Sequence, residues 1–377
     1  YKLMFRIHKH RTPTNGTSFL TTYALIIALA NTFIIPIFPL FIKDLVGKDQ
    51  YVGYVISSFA VLILLTNLFI GKIISKFSKK SLMLCTIAVF FFAYYLFSKT
   101  TNLVQFFGIE IFRTVSLTIH AICLGILLRE STTKKKIGKT EGLYYTFLNV
   151  AWLIGPLVGG LVAKAYGFEK VFYLSSTVAV IAFVVLSLNK LKEYKDHTII
   201  RKPLVNLKLF LKNKKLLPVY LITFGLALYL SSLYIYLPLL IKENGLGEDI
   251  IGYALFALVI PLLLLEIPAG KLADKYGYKW FFVFVFLLIS LFLIPTYFID
   301  SLYTVIILLV LSGIGAAFVE PLKEAYFFKV VNSEDELKFY PIFRTAIVMA
   351  SLLGPIIFST FLFFVPLKAI FTIGGFI

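Results

Sequence analysis

Apolar residues along this chain form continuous runs of about twenty residues, separated by short segments that carry charges, Gly or Pro. A helix that crosses the hydrocarbon core of a bilayer needs about 20 such residues, whereas membrane-spanning strands alternate apolar and polar positions over about ten. The pattern therefore predicts an all-α membrane protein with twelve transmembrane helices. These lie near residues 19–41, 51–70, 80–98, 103–128, 141–163, 168–189, 216–241, 250–269, 279–298, 303–328, 340–364 and 367–377. The last run is short, so we expect the twelfth span to be incomplete.

The composition agrees with this class and excludes several others. Hydrophobic residues make up 59% of the 377 positions and charged residues only 15%, against about 45–50% and 25% in soluble domains. The two cysteines, Cys85 and Cys123, lie in apolar runs without the spacing of a metal or disulfide site. Phosphate-binding glycine loops and catalytic triads are absent from the sequence. We therefore expect no enzymatic activity, no metal and no cofactor.

The formal net charge of +18 follows the predicted topology. With the first segment, residues 1–18, in the cytoplasm, 27 of the 37 Lys and Arg residues fall in cytoplasmic segments and 7 in outer loops. Such an excess places both termini in the cytoplasm of a multi-pass protein of the plasma membrane. The charge is thus explained without nucleic acid, which we do not expect as a partner.

Landmarks in the two halves of the chain recur at one constant offset of 199 residues. The repeated pairs are Pro39 and Pro238, Gly71 and Gly270, and Gly155-Pro156 and Gly354-Pro355. Such an offset indicates a duplicated six-helix unit. We expect bundles at 19–189 and 216–377, joined by a basic cytoplasmic linker at 190–215.

One cytoplasmic loop carries a recognisable signature. The segment from Gly270 to Lys279, GKLADKYGYK, resembles the G-x-L-A-D-R/K-x-G-R/K-R/K loop of the major facilitator superfamily. The equivalent loop from Gly71 to Lys80 keeps the glycine and the bases but has Ser75 in place of the acid and Ser78 in place of the second glycine. The resemblance covers the whole chain and implies two pseudo-symmetric six-helix bundles that transport a solute by alternating access.

Shorter motifs resemble those of the twelve-span drug/proton antiporters in this superfamily. They are the sequence GPLVGG from Gly155 to Gly160, similar to G-P-x-x-G-G, and PIFP from Pro36 to Pro39, similar to P-x-x-P. Arg113 lies roughly where that subgroup has its intramembrane base. We expect close packing and bending of helices at Pro36, Pro39, Gly155, Pro156, Gly159, Gly160, Gly354 and Pro355.

Ionisable groups inside a membrane span cost free energy, because a charge is removed from water. They are therefore candidates for function. Glu110, Arg113 and His120 share one face of span 4, where they form either a site for protons or substrate charge, or a self-neutralising pair beside a neutral histidine. In span 10, Glu320 either carries a proton or is neutralised by Lys323.

Further residues are candidates for the gates and the cavity. Arg344 is expected to cap a helix C-terminus or to pair with lipid phosphate, because Ser75 cannot pair with it, and Glu266 is expected to support the gate. Loop contacts that hold the halves together in one state would involve Gly71, Lys72, Lys76, Lys79, Lys80, Gly270, Lys271, Asp274, Lys275, Gly277 and Lys279. The resemblance implies that spans 1, 4, 7 and 10 line the cavity, with polar candidates at Tyr23, Asn31, Thr32, Tyr220, Ser231 and Tyr234, each open to a packing role instead.

These features indicate a monomeric secondary transporter whose partners are the bilayer, protons and a small molecule. We expect proton-coupled efflux of amphipathic or drug-like compounds. One alternative is a proton-coupled importer or facilitator of a small metabolite such as a sugar or an organic anion. Another is a non-transporting membrane sensor with the same fold, suggested by Ser75 and Ser78 in the first signature loop.

Overall fold

A computed structural model describes residues 16–132, 137–191, 203–332 and 335–377. All regular structure within these ranges is helical, as the sequence predicts. The helices are α1 (Gly16–Thr32), α2 (Phe38–Val46), α3 (Asp49–Lys76), α4 (Lys79–Phe97), α5 (Leu103–Glu130), α6 (Ile137–Tyr166), α7 (Phe168–Leu188), α8 (Pro203–Lys212), α9 (Leu216–Glu243), α10 (Glu248–Tyr276), α11 (Tyr278–Leu293), a 3₁₀ segment (Ile294–Phe298), α12 (Leu302–Val330), α13 (Glu336–Phe361) and α14 (Ala369–Phe376). Within the described residues, 10 helices are long and apolar enough to cross a membrane.

The first predicted span, residues 19–41, is divided into two helices. α1 ends at Thr32 and α2 begins at Phe38. Between them the chain forms turns with hydrogen bonds that span three residues. These run from the Ile35 amide to the Thr32 carbonyl and from the Ile37 amide to the Ile34 carbonyl. Pro36 explains the break, because it lacks an amide proton and disfavours helical geometry at the residue before it.

The helices form two compact units. The first unit contains α1, the part of α3 from Val61, and α4 to α7; the second contains α2, the part of α3 up to Ala60, and α8 to α14. In the second unit, Phe210 of α8 is fully buried among Leu216, Phe339 and neighbouring apolar side chains. The end of the predicted linker is therefore packed into the helices that follow it, while its residues 192–202 lie outside the described residues.

The first unit is held together by a close approach of α1 and α6. A Cβ atom added at Gly155 would lie 2.0 Å from the Thr32 hydroxyl oxygen, and one at Gly159 would lie 1.9 Å from the Phe33 carbonyl oxygen. No residue larger than glycine fits at either position without movement of α1. The G-P-x-x-G-G segment thus acts here as a helix-packing motif.

The second unit repeats this packing at the offset of 199 residues. Gly354 of α13 approaches Ser231 of α9, and an added Cβ atom would lie 2.8 Å from the Ser231 hydroxyl oxygen. Thr32 and Gly155 are the corresponding residues of the first unit. The internal repeat read from the sequence is therefore a repeat of helix contacts as well.

The two signature loops turn in different ways. Gly277 has a φ of +82°, a conformation that favours glycine. Its counterpart Ser78 has a φ of −68° and caps α4, because its side chain accepts a hydrogen bond from the Ser81 amide. Replacement of the glycine by serine in the first loop has thus exchanged a glycine turn for a side-chain cap.

Candidate functional site

An ion pair lies buried in the first unit on α5. The Arg113 Nε and Nη2 atoms donate to the two Glu110 carboxylate oxygens at 2.6 and 2.7 Å, and the Thr114 hydroxyl donates to the same carboxylate at 2.9 Å. Glu110 is 3% exposed and Arg113 8%. The spacing of three residues puts both side chains on one helix face, and the bidentate geometry is the strong form of this interaction.

Tyr94 of α4 lies close to this pair and contacts α1. The charge of Arg113 lies within electrostatic range of the Tyr94 hydroxyl on α4, and the Tyr94 hydroxyl donates to the Asn31 Oδ1 atom at 2.6 Å. The Asn31 amide in turn donates to the Ile27 carbonyl at 2.8 Å. The structure thus brings together Arg113, Glu110 and the cavity candidate Asn31, with Tyr94 between them.

Sequence reasoning missed Tyr94. It lies in the aromatic run FFFAYYLF directly before Tyr95, and no local feature separates the two tyrosines. Only packing does so, because Tyr94 is fully buried while Tyr95 is 45% exposed.

His120 occupies a separate buried position two turns along α5. Its Nδ1 atom lies 2.8 Å from the Thr86 hydroxyl and its Nε2 atom 2.9 Å from the Tyr23 hydroxyl. Because the Thr86 hydroxyl donates to the Met83 carbonyl, the Thr86 oxygen accepts a hydrogen bond from the Nδ1–H group. The Nε2 atom in turn accepts a hydrogen bond from the Tyr23 hydroxyl. Both ring nitrogens are therefore satisfied by a neutral imidazole, which favours the structural interpretation of His120 and Tyr23.

Three further cavity candidates contact residues of their own unit. Thr32 packs against Gly155, and the Ser231 hydroxyl donates to the Leu228 carbonyl at 2.8 Å. The Tyr220 hydroxyl lies 3.3 Å from that of Thr345. The roles of Thr32, Ser231 and Tyr220 in binding remain predictions.

In the second unit, Glu320 forms an ion pair with Lys323 on α12. The Glu320 side chain is 39% exposed and that of Lys323 only 7%. Tyr234 of α9 lies within electrostatic range of Glu320. This arrangement matches the self-neutralised alternative for Glu320, although the Glu320 side chain is partly exposed.

Two lysines of the first signature loop, Lys79 and Lys80, bind within their own unit. Lys79 pairs with Glu130 at 2.9 Å, and both side chains are buried. Lys80 donates to the carbonyls of Ser187 and Asn189 at 3.1 and 2.5 Å, where it neutralises the negative C-terminal end of α7. These contacts tie α4 to α5 and α7.

Arg344 of α13 has a partner that the sequence did not predict. Its guanidinium pairs with the Glu324 carboxylate of α12 at 2.7 Å. The contact with a helix end or lipid phosphate stays a prediction. Twenty residues separate the two, and only the packing of α12 beside α13 brings them together.

The remaining gate candidates in and beside the two signature loops are exposed or only partly described. The side chains of Lys72, Glu266, Lys271 and Asp274, and the surroundings of Gly270, lie outside the described residues. Gly71 and Lys76 are exposed, and Lys275 and Lys279 lie over the rings of Tyr276 and Trp280 at 5.1 and 5.4 Å. The described part of the chain contains no group of His, Cys, Asp or Glu side chains that could hold a metal ion.

Comparison with known proteins identifies the family. The family model described as Major Facilitator Superfamily matches residues 20–260 and 219–377. "Multidrug resistance protein 2" of Bacillus subtilis (strain 168) is 25% identical over 276 residues, which are 67% of this chain and 68% of that protein. The "Riboflavin transporter RibZ" of Clostridioides difficile (strain 630) is 23% identical over 75% of this chain and 74% of its own.

A solved structure has the same fold. The crystal structure of the nucleoside transporter NupG superposes with a TM-score of 0.75 at 14% identity and covers 96% of both chains. Together with the apolar helices, these matches show a multi-pass membrane protein that transports a small molecule and is not an enzyme. The chain belongs to the Major Facilitator Superfamily.

Proposed function

We propose that the chain is a secondary transporter that works by alternating access and couples inward proton movement to the export of amphipathic or drug-like molecules. The observation that carries the proposal is the buried Glu110–Arg113 pair on a membrane helix. A charged pair inside a membrane span costs free energy, and such groups are therefore candidates for function. The similarity to "Multidrug resistance protein 2" supports export as the direction of transport.

The chemistry follows from the geometry of the pair. When the Glu110 carboxylate is ionised, the Arg113 guanidinium balances its charge. When it binds a proton, the guanidinium loses its counter-ion and becomes available to other groups. Glu320, which is partly exposed on α12, supplies a second carboxyl for the same cycle. The protein acts in the cytoplasmic membrane as a monomer, with both termini in the cytoplasm.

The test uses the full-length protein in liposomes that contain a pH-sensitive dye. Lipophilic cations, neutral drugs, sugars and organic anions are added in turn, and the proton flux that each one drives is recorded. Proton movement opposite to a lipophilic compound, abolished by Arg113→Ala, is the expected result. Normal proton-driven transport by Arg113→Ala would contradict the proposed role of the pair.

A second candidate is uptake of a small metabolite. It is favoured by the similarity to the "Riboflavin transporter RibZ" and by the hydrogen-bonding groups of Asn31 and Tyr94 next to the ion pair. In the same assay this function gives proton movement in the same direction as a polar metabolite. Binding of compounds without any flux would instead indicate the sensor.

A further inference from the structure

Tyr94 stands between the buried ion pair and the end of α1. Its ring is fully buried, and its hydroxyl donates to Asn31 at 2.6 Å while lying within electrostatic range of the Arg113 charge. A tyrosine hydroxyl has one proton and acceptor lone pairs, and a guanidinium can only donate. The Tyr94 hydroxyl therefore uses its one proton for Asn31, and toward the Arg113 guanidinium it can act only as an acceptor.

The far end of this connection is a helix terminus. Asn31 is the penultimate residue of α1, which ends at Thr32, and its amide group donates to the Ile27 carbonyl in the preceding turn. The turn that contains Pro36 follows directly. A change in the strength of the hydrogen bond from Tyr94 to Asn31 therefore acts at the C-terminal end of α1.

The connection is sensitive to the charge of Glu110. While the carboxylate is ionised, it balances Arg113, and the Tyr94 hydroxyl experiences a neutral pair. When Glu110 is protonated, Arg113 keeps an unbalanced positive charge, which polarises the Tyr94 O–H bond and makes it a stronger donor to Asn31. The low dielectric constant of a buried environment makes this effect of a nearby charge stronger than it is in water.

We propose that Tyr94 is a positioning residue that transmits the charge state of the Glu110–Arg113 pair to the end of α1 through Asn31. The inference rests on the proposed function, in which that pair binds the transported proton. It adds the route by which proton binding changes the conformation of the chain. Protonation tightens the contact between α4 and the end of α1, and release of the proton loosens it.

The test measures the end of α1 without any substrate or gradient. In a background of Cys85→Ser and Cys123→Ser, the variant Ile35→Cys places a thiol, as a reporter, in the turn after α1, and its rate of labelling by a maleimide reports local opening. Glu110→Gln mimics the protonated acid. We expect it to slow labelling by about threefold to tenfold, the range that corresponds to one net hydrogen bond.

Tyr94→Phe, which keeps the ring and removes only the hydroxyl, should abolish the effect of Glu110→Gln on the labelling rate. Tyr229→Phe is the matched control, because Tyr229 is also buried and its hydroxyl lies 2.6 Å from that of Ser312, a neutral partner. It should leave the effect intact. Asn31→Leu, which removes the acceptor of the Tyr94 hydroxyl, should also abolish the effect.

Two outcomes would overturn the inference: no change in labelling with Glu110→Gln, or an undiminished change in the Tyr94→Phe background. A merely structural hydroxyl would instead alter the labelling rate equally with and without Glu110→Gln. Failure of the proposed function is seen separately, as an absence of proton flux in liposomes, and does not affect the labelling result.

Discussion

In the first unit, Arg113 of α5 forms a buried ion pair with Glu110. The residue 199 positions later, Ser312 of α12, forms instead a neutral hydrogen bond of 2.6 Å with Tyr229. The helix contacts around them are alike, since Thr32 packs on Gly155 in one unit and Ser231 on Gly354 in the other.

This difference teaches that the repeat has kept its packing and changed its chemistry. Small residues at helix crossings are required in both units because the backbones approach closely. Packing does not require a buried charge in either unit. Of the two equivalent positions, only Arg113 carries a charge, and it forms a buried ion pair there. In the second unit the corresponding charge lies further along α12, at Glu320 and Lys323.

The sharpest test of this asymmetry compares Arg113→Leu with Ser312→Ala. Arg113→Leu leaves the Glu110 carboxylate buried without its counter-ion and should lower the free energy of unfolding by about 3–5 kcal/mol. Ser312→Ala removes one neutral partner and should lower it by about 1 kcal/mol. Thermal unfolding of the purified proteins in detergent measures both, and equal losses would remove the distinction between the units.

The next effect concerns ion pairs at the ends of helices. Lys79 and Glu130 are buried in the first unit, whereas Arg344 and Glu324 are 46% and 27% exposed in the second. Lys79→Met should therefore lower the unfolding free energy by about 3 kcal/mol, and Arg344→Ala by less than about 1 kcal/mol. Added salt should weaken only the second pair noticeably. A larger loss for Arg344→Ala in the same unfolding experiment would contradict this ranking.

A smaller difference is expected at the repeated glycines. An added Cβ atom at Gly155 meets the Thr32 hydroxyl and its Cβ atom at 2.0 and 2.5 Å, while one at Gly354 meets the side-chain ends of Leu228 and Ser231 at 2.7 and 2.8 Å. Gly155→Ala should cost about 1–3 kcal/mol because Thr32 cannot move away, and Gly354→Ala should cost less.

Gly108→Ala is the control for these glycines, because an added Cβ atom there meets nothing within 4 Å. It should leave stability unchanged or raise it slightly. If Gly155→Ala behaved like Gly108→Ala, the close approach of α1 and α6 would be wrong.

The smallest effect is expected at the Lys99–Glu169 pair of the first unit. Hydrogen bonds to Tyr173 and Glu169 raise the pKa of Lys99 above its usual value, so this lysine stays charged at neutral pH. Its contribution is present below its usual pKa and is lost only when the pH rises through the raised one. Because both side chains are about half exposed, Lys99→Ala should leave the melting temperature between pH 6 and 8 unchanged. A change of several degrees would show an unrecognised role for this pair.

Much of this structure follows from local patterns. The apolar runs predict the long helices, with ends that differ by up to seven residues, because burial in lipid requires continuous hydrophobic length. The spacing of Glu110 and Arg113 predicts their shared face. Pro36 indicates the division of span 1. The sequence nevertheless predicts one span there, because the apolar run is long enough to cross the membrane.

The contacts missed by sequence reasoning depend on tertiary packing. Tyr94 differs from Tyr95 only in the face of α4 that each occupies, and Glu324 meets Arg344 only because α12 and α13 are neighbours. Thr86 likewise reaches His120 from another helix. Partners of this kind, which come from different helices, cannot be read from spacing along one of them.

The central claim is that Glu110 carries the proton that drives transport. It is tested most directly by Glu110→Gln in liposomes, measured once with an imposed proton gradient and once as exchange of labelled for unlabelled substrate without a gradient. The predicted result is loss of gradient-driven transport with exchange retained, since exchange requires no net proton movement. Gradient-driven transport by Glu110→Gln at the rate of the unsubstituted protein would contradict the account.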